Sequence, residues 1–260
     1  VTHRIVVKQI EQTISFTAPP SPVTYGVAPI TLVATGGASG NMVVFSVLSG
    51  PGTISGNILT ITGVGTVVVA ANQGGDADYA AAREVTHRIV VKQIEQTITF
   101  TAPPSPVTYG VSPITLVATG GASGNVVVFS VLSGPGTISG NILTITGVGT
   151  VEVAADQSGN ADYAAAKEVT HNIVVKQIEQ TITFTAPTSP VTYGVSPITL
   201  SATASSGLPV TFSVVSGPGT ISGNILTITG VGTVEVAADQ SGNADYAAAK
   251  EVTHNIVVKQ

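Results

Sequence analysis

The chain has 260 residues, of which 43% are hydrophobic and only 9% charged, with 29 Gly, 15 Pro and no Cys. That balance is too apolar for a disordered chain and too rich in turn formers for a helical one, and the missing cysteine removes disulfides, thiolate metal sites and thiol catalysis together. A formal net charge of −5 offers no basic footprint for nucleic acid and no polybasic patch for anionic lipid; no apolar run approaches ~18 residues, so no membrane-inserted segment is expected.

The chain repeats itself. The run KQIEQTI places its second glutamine at Gln12, Gln96 and Gln180, a period of 84 residues. The third copy is one residue shorter, because TGGASGNVVVF becomes TASSGLPVTF. The expected organisation is a terminal strand of a preceding repeat over 1–9, followed by repeats over 10–93, 94–177 and 178–260. The chain opens on VTHRIVVKQ and closes on VTHNIVVKQ, without an initiator Met or a leader, and so reads as a window onto a longer protein.

The middle copy shows the elements in order. Ile94, Gln96, Ile98 and Phe100 alternate with Glu95, Thr97 and Thr99, the two-residue period of a strand. APPSPVTYG follows, and its prolines cannot donate to a ladder, so an edge or a crossover is expected. PITLVAT and NVVVFSVL read as strands around a Gly/Ala/Ser turn, and GTIS and ILTIT as a tight hairpin about Ser-Gly-Asn. TVEVAA is the next strand, and the loop DQSGNADYAAAKE leads to the last, VTHNIVVK. About seven short strands with turn signals every ~8–12 residues predict an all-β chain of three tandem immunoglobulin-like sandwiches.

Differences between copies set the strand phases. Val68 is replaced by Glu152 and Glu235, whereas its neighbours stay Val in all three copies. A position that accepts Val or Glu faces solvent, so the neighbours face the core. In the last strand Val85, His87, Ile89 and Val91 then point inward and Arg88 outward. The inward positions are odd up to Val91 and even from Ile94, so the phase flips across Lys92–Gln93. A junction this short and free of Gly and Ser predicts a stiff rod, roughly 120 Å long for three units at ~3.3 Å per strand residue.

Three sets of residues are candidates for chemistry. Asp156, Asn160 and Asp162, with Asp239, Asn243 and Asp245, hold oxygen ligands at loop spacing and are candidate calcium ligands. Against that, Asx residues build turns without an ion, and no acidic twelfth position follows; no cofactor is otherwise expected. His3, His87, His171 and His254 fall once per copy of the last strand and read as half-buried strand histidines. Tyr25, Tyr109, Tyr193, Tyr79, Tyr163 and Tyr246 read as core tyrosines with their hydroxyls bonded to loops rather than as a sugar platform. Lysines fall at strand ends, so no Lys–Asn cross-link through the core is expected. No G-x-S-x-G or Ser, His and acid constellation occurs, and SGPG and GVG lack the Lys of a phosphate loop, so no enzyme is expected.

QTITF, VTYG, SGLPVTFS and GNADY, at 180–184, 191–194, 206–213 and 242–246, resemble the bacterial Ig-like tandem repeats of the MBG or Big type, and the likeness recurs through all three copies. The resemblance implies an extracellular sandwich of a large surface adhesin or secreted filament, used for spacing, adhesion or filament building, with no catalytic residues. Its partners would be neighbouring repeats of the same protein, with self-assembly into filaments. The rival readings are a glycan- or protein-binding Ig-like module, and an accessory stalk of a secreted enzyme. Interchangeable strands in near-identical neighbours invite swapping during folding, although prolines in APPSP and the charges Arg83/Lys167 and Glu84/Glu168 are expected to guard strand edges. The 260-residue chain is therefore expected to refold more slowly or less completely than one excised repeat; equal refolding yields at equal repeat concentration would contradict this.

Overall fold

The computed structural model describes residues 3–260. Every regular element among them is a β-strand. The first repeat lies wholly within one compact unit of the chain and the third wholly within the other, while the second is divided between them.

The first repeat contains nine strands rather than seven. They are β1 (Ser15–Phe16), β2 (Val23–Thr24), β3 (Ile30–Thr31), β4 (Ala34–Thr35), β5 (Val43–Ser49), β6 (Gly52–Ser55), β7 (Ile58–Ile61), β8 (Gly65–Gln73) and β9 (Val85–Lys92). One sheet has the order β2-β9-β8-β5; β3-β7-β6 and the pair β1-β4 form the rest. The same orders recur in the second and third repeats. One extra strand is β2, in the proline segment, and the other arises from a break. The segment expected as one strand, PITLVAT and its counterpart PITLVAT at 29–35, splits at Leu32–Val33, so that β3 pairs with β7 and β4 with β1. At the break the Leu32 amide donates to the Asn57 carbonyl at 2.8 Å and the Asn57 side chain donates to the Leu32 carbonyl at 3.4 Å.

The proline segment is a crossover, as expected. After the cis Ser21–Pro22 bond the chain enters the other sheet as β2, which pairs parallel to β9 with Val23 opposite Val91. The Tyr25 amide extends that pairing by donating to the Lys92 carbonyl at 2.8 Å.

The expected phases hold. Val67, Val69 and Ile89 are fully buried, Val91 nearly so, and Thr86, Arg88 and Val90 face out. Glu152 and Glu235 lie half-exposed between buried valines. Ile14, Phe16, Leu32, Leu59, Val67 and Ile89 form the centre of the first core. Phe16 stacks against Phe45 at 5.3 Å and edge-on against His87 at 4.8 Å. The third repeat repeats the stack with Phe184, Phe212 and His254.

Two turns need glycine for steric reasons. In the β6–β7 hairpin Ser55 opposes Ile58, which leaves Gly56 and Asn57 as a two-residue loop with Gly56 at φ 60° and no positive φ at Asn57, the type II′ pattern. At Gly50 (φ 93°) an added Cβ would fall 2.0 Å from the Thr66 carbonyl oxygen, so the SGPG turn can close onto β8 only with glycine there.

The identical sequence VTHRIVVKQ behaves in two ways. At 85–93 it forms β9, sandwiched between β2 and β8. At its first occurrence His3–Gln9 carry no strand and are exposed, and Val1 and Thr2 of the expected terminal strand lie outside the described residues.

Leu226 is fully buried at the centre of the third core. Leu226→Ala in the 260-residue chain is expected to cost the third repeat about 2–5 kcal/mol and to split the thermal transition, lowering that repeat's midpoint by ~10 °C or more. A single unshifted transition in differential scanning calorimetry would contradict this.

Candidate functional site

The polar residues converge at one end of each sandwich, where the chain enters the first strand and the two longest loops meet. In the first repeat Gln12 and Gln73 reach into this end and are both buried. A glutamine amide offers two donor hydrogens and an acceptor oxygen, and burial obliges it to use them. The Gln12 Nε2 donates to the Ala80 carbonyl at 2.8 Å and the Gly74 carbonyl at 3.2 Å, while its Oε1 accepts from the Ser39 amide at 2.9 Å. The Gln73 Oε1 accepts from the Gly37 amide at 2.6 Å and its Nε2 donates to the Asn41 carbonyl at 2.7 Å. Two neutral side chains thereby tie the entry segment, the 36–41 loop and the 74–84 loop into one end-plate.

The second repeat copies this arrangement with Gln96 and Gln157. Gln96 bonds Ala164 and Ser123, and Gln157 bonds Gly121 and Asn125. The third repeat departs from it where the sequence is one residue shorter. There Gln180 donates directly to the Gln240 Oε1 at 2.6 Å, and Ser206 donates to the Gln180 oxygen. Leu208 stands where the earlier copies have Asn41 and Asn125, whose amides bond the long loop.

Inward alternation marks Gln12, Gln96 and Gln180 in the sequence, but Gln73, Gln157 and Gln240 read there as loop. The signal was present: Val67, Val69 and Ala71 alternate inward, and Gln73 is the next residue in that phase.

The calcium candidates occupy the same end without forming a cluster. The Asn160 Oδ1 accepts from the amides of Asp162 and Tyr163, both at 2.9 Å, and Asn243 does the same for Asp245 and Tyr246. Asp76 plays that part in the first repeat. Asp162 and Asp245 use their backbone carbonyls to accept from Ile94 and Ile178 at 2.8 Å. Asp156 and Asp239 end strands, one residue before the buried glutamines. Among the described residues no group of three or more His, Cys, Asp or Glu side chains is placed to hold a metal ion.

The histidines and tyrosines are placed differently. The Nε2 atoms of His87 and His254 lie 2.9 and 3.0 Å from the carbonyls of Phe16 and Phe184, half-buried as expected, whereas His3 is exposed. The expectation of core tyrosines holds only in part: Tyr25 packs half-buried against the first core. None of the six is buried, and Tyr193 is 52% exposed. Their backbones are the structural part: Tyr79, Tyr163 and Tyr246 bridge to Ile10, Ile94 and Ile178.

Gln9, Gln93 and Gln177 add a further tie, donating to the carbonyls of Asp76, Asn160 and Asn243 at 2.6 Å. Chemically the end-plate is a set of hydrogen bonds, built around neutral amides, that fixes loops.

No protein-family model matches the chain, and no curated protein matches its sequence. Among solved structures it is similar to Drosophila N-cadherin EC1-4, at 11% identity over 96% of this chain and 76% of that one with a TM-score of 0.32. Drosophila N-cadherin EC1-3 gives 11% identity over 84% and 89% with a TM-score of 0.34. The human desmocollin-1 ectodomain gives 11% over 98% and 61% with a TM-score of 0.33. Scores this low leave the Ig-like architecture resting on the strand pairing itself.

Two outcomes are expected. Gln96→Leu leaves the Ser123 amide and the Ala164 carbonyl unpaired in a part-buried site, at about 1–3 kcal/mol for each group that water cannot reach; denaturant unfolding should show the second repeat alone weakened. Exchange of calcium for chelator should leave the thermal midpoint unchanged, since a site filled to ~100 times its dissociation constant would add about 2.7 kcal/mol.

Proposed function

We propose that these repeats are force-bearing spacers in a long extracellular protein of the bacterial Ig-like kind, structural rather than catalytic. One observation carries the reading. In every repeat the early strand after the crossover runs parallel to the last strand. Tension applied to the two ends of a repeat would pull these neighbours in opposite directions along their length, so their hydrogen bonds would be loaded together rather than one at a time.

The parallel pairing is reinforced on both flanks. The amides of Tyr25, Tyr109 and Tyr193 donate to the carbonyls of Lys92, Lys176 and Lys259 at 2.7–2.8 Å. The hydroxyls of Ser21, Ser105 and Ser189 accept from the amides of Val90, Val174 and Val257 at 3.0 Å. The recurrence of this clamp in three near-identical copies suits a spacer, in which each unit must withstand the same load. The sequence resemblance to MBG or Big-type repeats of surface adhesins and secreted filaments supports the extracellular setting.

Pulling the 260-residue chain between its ends tests the proposal. Three separate unfolding events are expected, each releasing roughly 290 Å of chain at ~3.3–3.6 Å per residue before the folded span is subtracted. Tyr193→Pro, which removes the donor to Lys259, should lower the force of one event and leave two unchanged. Unfolding at forces near the noise, or equal forces in the variant, would refute the force-bearing role.

A further inference from the structure

The end at which a repeat hands the chain to the next is built from both sides of its last strand. The Tyr25 amide donates to the Lys92 carbonyl at 2.8 Å, which sets Tyr25 beside the exit of β9 on the β2 side. Gly65 opposes Val91 in the β8–β9 register, so Val64, the residue before it, flanks the same exit from the β8 side. Beyond Lys92 the second repeat takes up the chain. The Gln93 Nε2 donates to the Asn160 carbonyl at 2.6 Å, the Ile94 amide donates to the Asp162 carbonyl at 2.8 Å, and the Ile94 carbonyl accepts from the Ala164 amide at 2.9 Å. All of these residues belong to one compact unit of the chain, and their counterparts around Tyr109, Val148, Ile178 and Asp245 belong to the other.

Exposure at these positions varies along the chain in a regular way. Tyr25 and Val64 are half-buried, as are Tyr109 and Val148, whereas Tyr193 is 52% and Val231 50% exposed. The backbone around the last pair is unchanged: the Tyr193 amide donates to the Lys259 carbonyl at 2.7 Å, and Gly232 opposes Val258. At the entry end the order reverses. Gln93, Ile94 and Asp162 are half-buried, as are Gln177, Ile178 and Asp245, whereas Ile10 is 58% exposed and Gln9 and Asp78 are exposed with it. Gln9 and Ile10 nevertheless bond their own loop as their counterparts do, at 2.6 Å to the Asp76 carbonyl and 2.8 Å to the Asp78 carbonyl. A cleft of about 450 Å³, lined in part by Ile10, Asp78 and Tyr79, opens there. The bonds inside a repeat are therefore the same at its covered and its exposed ends, and do not account for the difference.

We infer that the Tyr–Val end of one repeat is a docking surface for the Gln–Ile end of the repeat that follows it. What sets Tyr25 and Tyr109 apart from Tyr193 is a following repeat, and what sets Ile94 and Ile178 apart from Ile10 is a preceding strand folded into its sheet. The two ends lose exposure together at both internal junctions. Their chemistry suits each other: a tyrosine ring and a valine face an isoleucine, apolar surfaces that gain by leaving water, while the polar groups beside the isoleucine are spent on the loop of their own repeat. Each repeat is then stabilised by its neighbours, as in a linear array whose stability adds unit and interface contributions. The partner that fits the exposed Tyr193 and Val231 is accordingly the entry end of another repeat of this kind. The inference goes beyond the force-bearing role, which concerns bonds inside a repeat.

Substitution of the three matching valines in the 260-residue chain, followed by thermal unfolding in a calorimeter, tests it. Val64→Ser and Val148→Ser should each lower an unfolding midpoint by on the order of 4 °C, and Val231→Ser, in the same backbone setting, should lower it by clearly less. Val64→Ser combined with Ile94→Ser should cost less than the two shifts added, because residues in contact across a junction couple. Should a variant lose its circular-dichroism signature, Val64→Ala, Val148→Ala and Val231→Ala read the same difference. Equal shifts at the three valines, a larger shift at Val231, or full additivity of the Val64 and Ile94 substitutions would each overturn the inference. None of these outcomes bears on the pulling experiment, so the two readings fail separately.

Discussion

Each sandwich depends on the pair of buried glutamines that closes its loop end. Sheets supply their own hydrogen bonds, but loops that pass over a core leave amides and carbonyls to be satisfied, and an unpaired buried group costs about 1–3 kcal/mol. Gln12 and Gln73 meet that need, Gln12 from the entry segment before β1 and Gln73 from the end of β8. Among the described residues no buried side-chain nitrogen or oxygen lacks a partner. Both side chains are neutral, so these two ties join the loops through uncharged amides.

The third repeat shows how far that constraint bends. Loss of one residue in the 36–41 loop and replacement of its asparagine by Leu208 remove the donors that held the long loop in the other copies. Gln180 and Gln240 then turn to each other, and Ser206 fills the remaining acceptor. The strand orders are unchanged. The scaffold tolerates a new set of partners provided that every buried polar group is still satisfied. The residue after Leu208, Pro209, stands where the first copy has Met42, so the loop and the start of the edge strand change together.

The two margins of the four-stranded sheet differ. At one margin β2 runs parallel to β9 and closes the edge. At the other β5 stays open. The interior strands β8 and β9 contribute the fully buried Val67, Val69 and Ile89, which fix the register of both margins. A strand whose inward face is buried cannot slip by one residue without exposing its core.

The period, the sandwich class and the inward or outward sense of each strand could be read from the chain, because alternation and repetition are local properties. Substitutions between copies were enough to turn Val68, Glu152 and Glu235 outward before any fold was known. The tertiary structure decided what depends on neighbours distant in sequence. It decided that Gln180 meets Gln240 across 60 residues, and that the tyrosines are at most half-buried. It also placed β2 beside β9 at Val91 and Lys92 only. The segment VTHRIVVKQ makes the reason plain: at 85–93 it is a core strand and at its first occurrence, over the described residues, it is exposed chain. The sequence is the same in both places. Only the presence of β2 and β8 on either side makes one of them a strand.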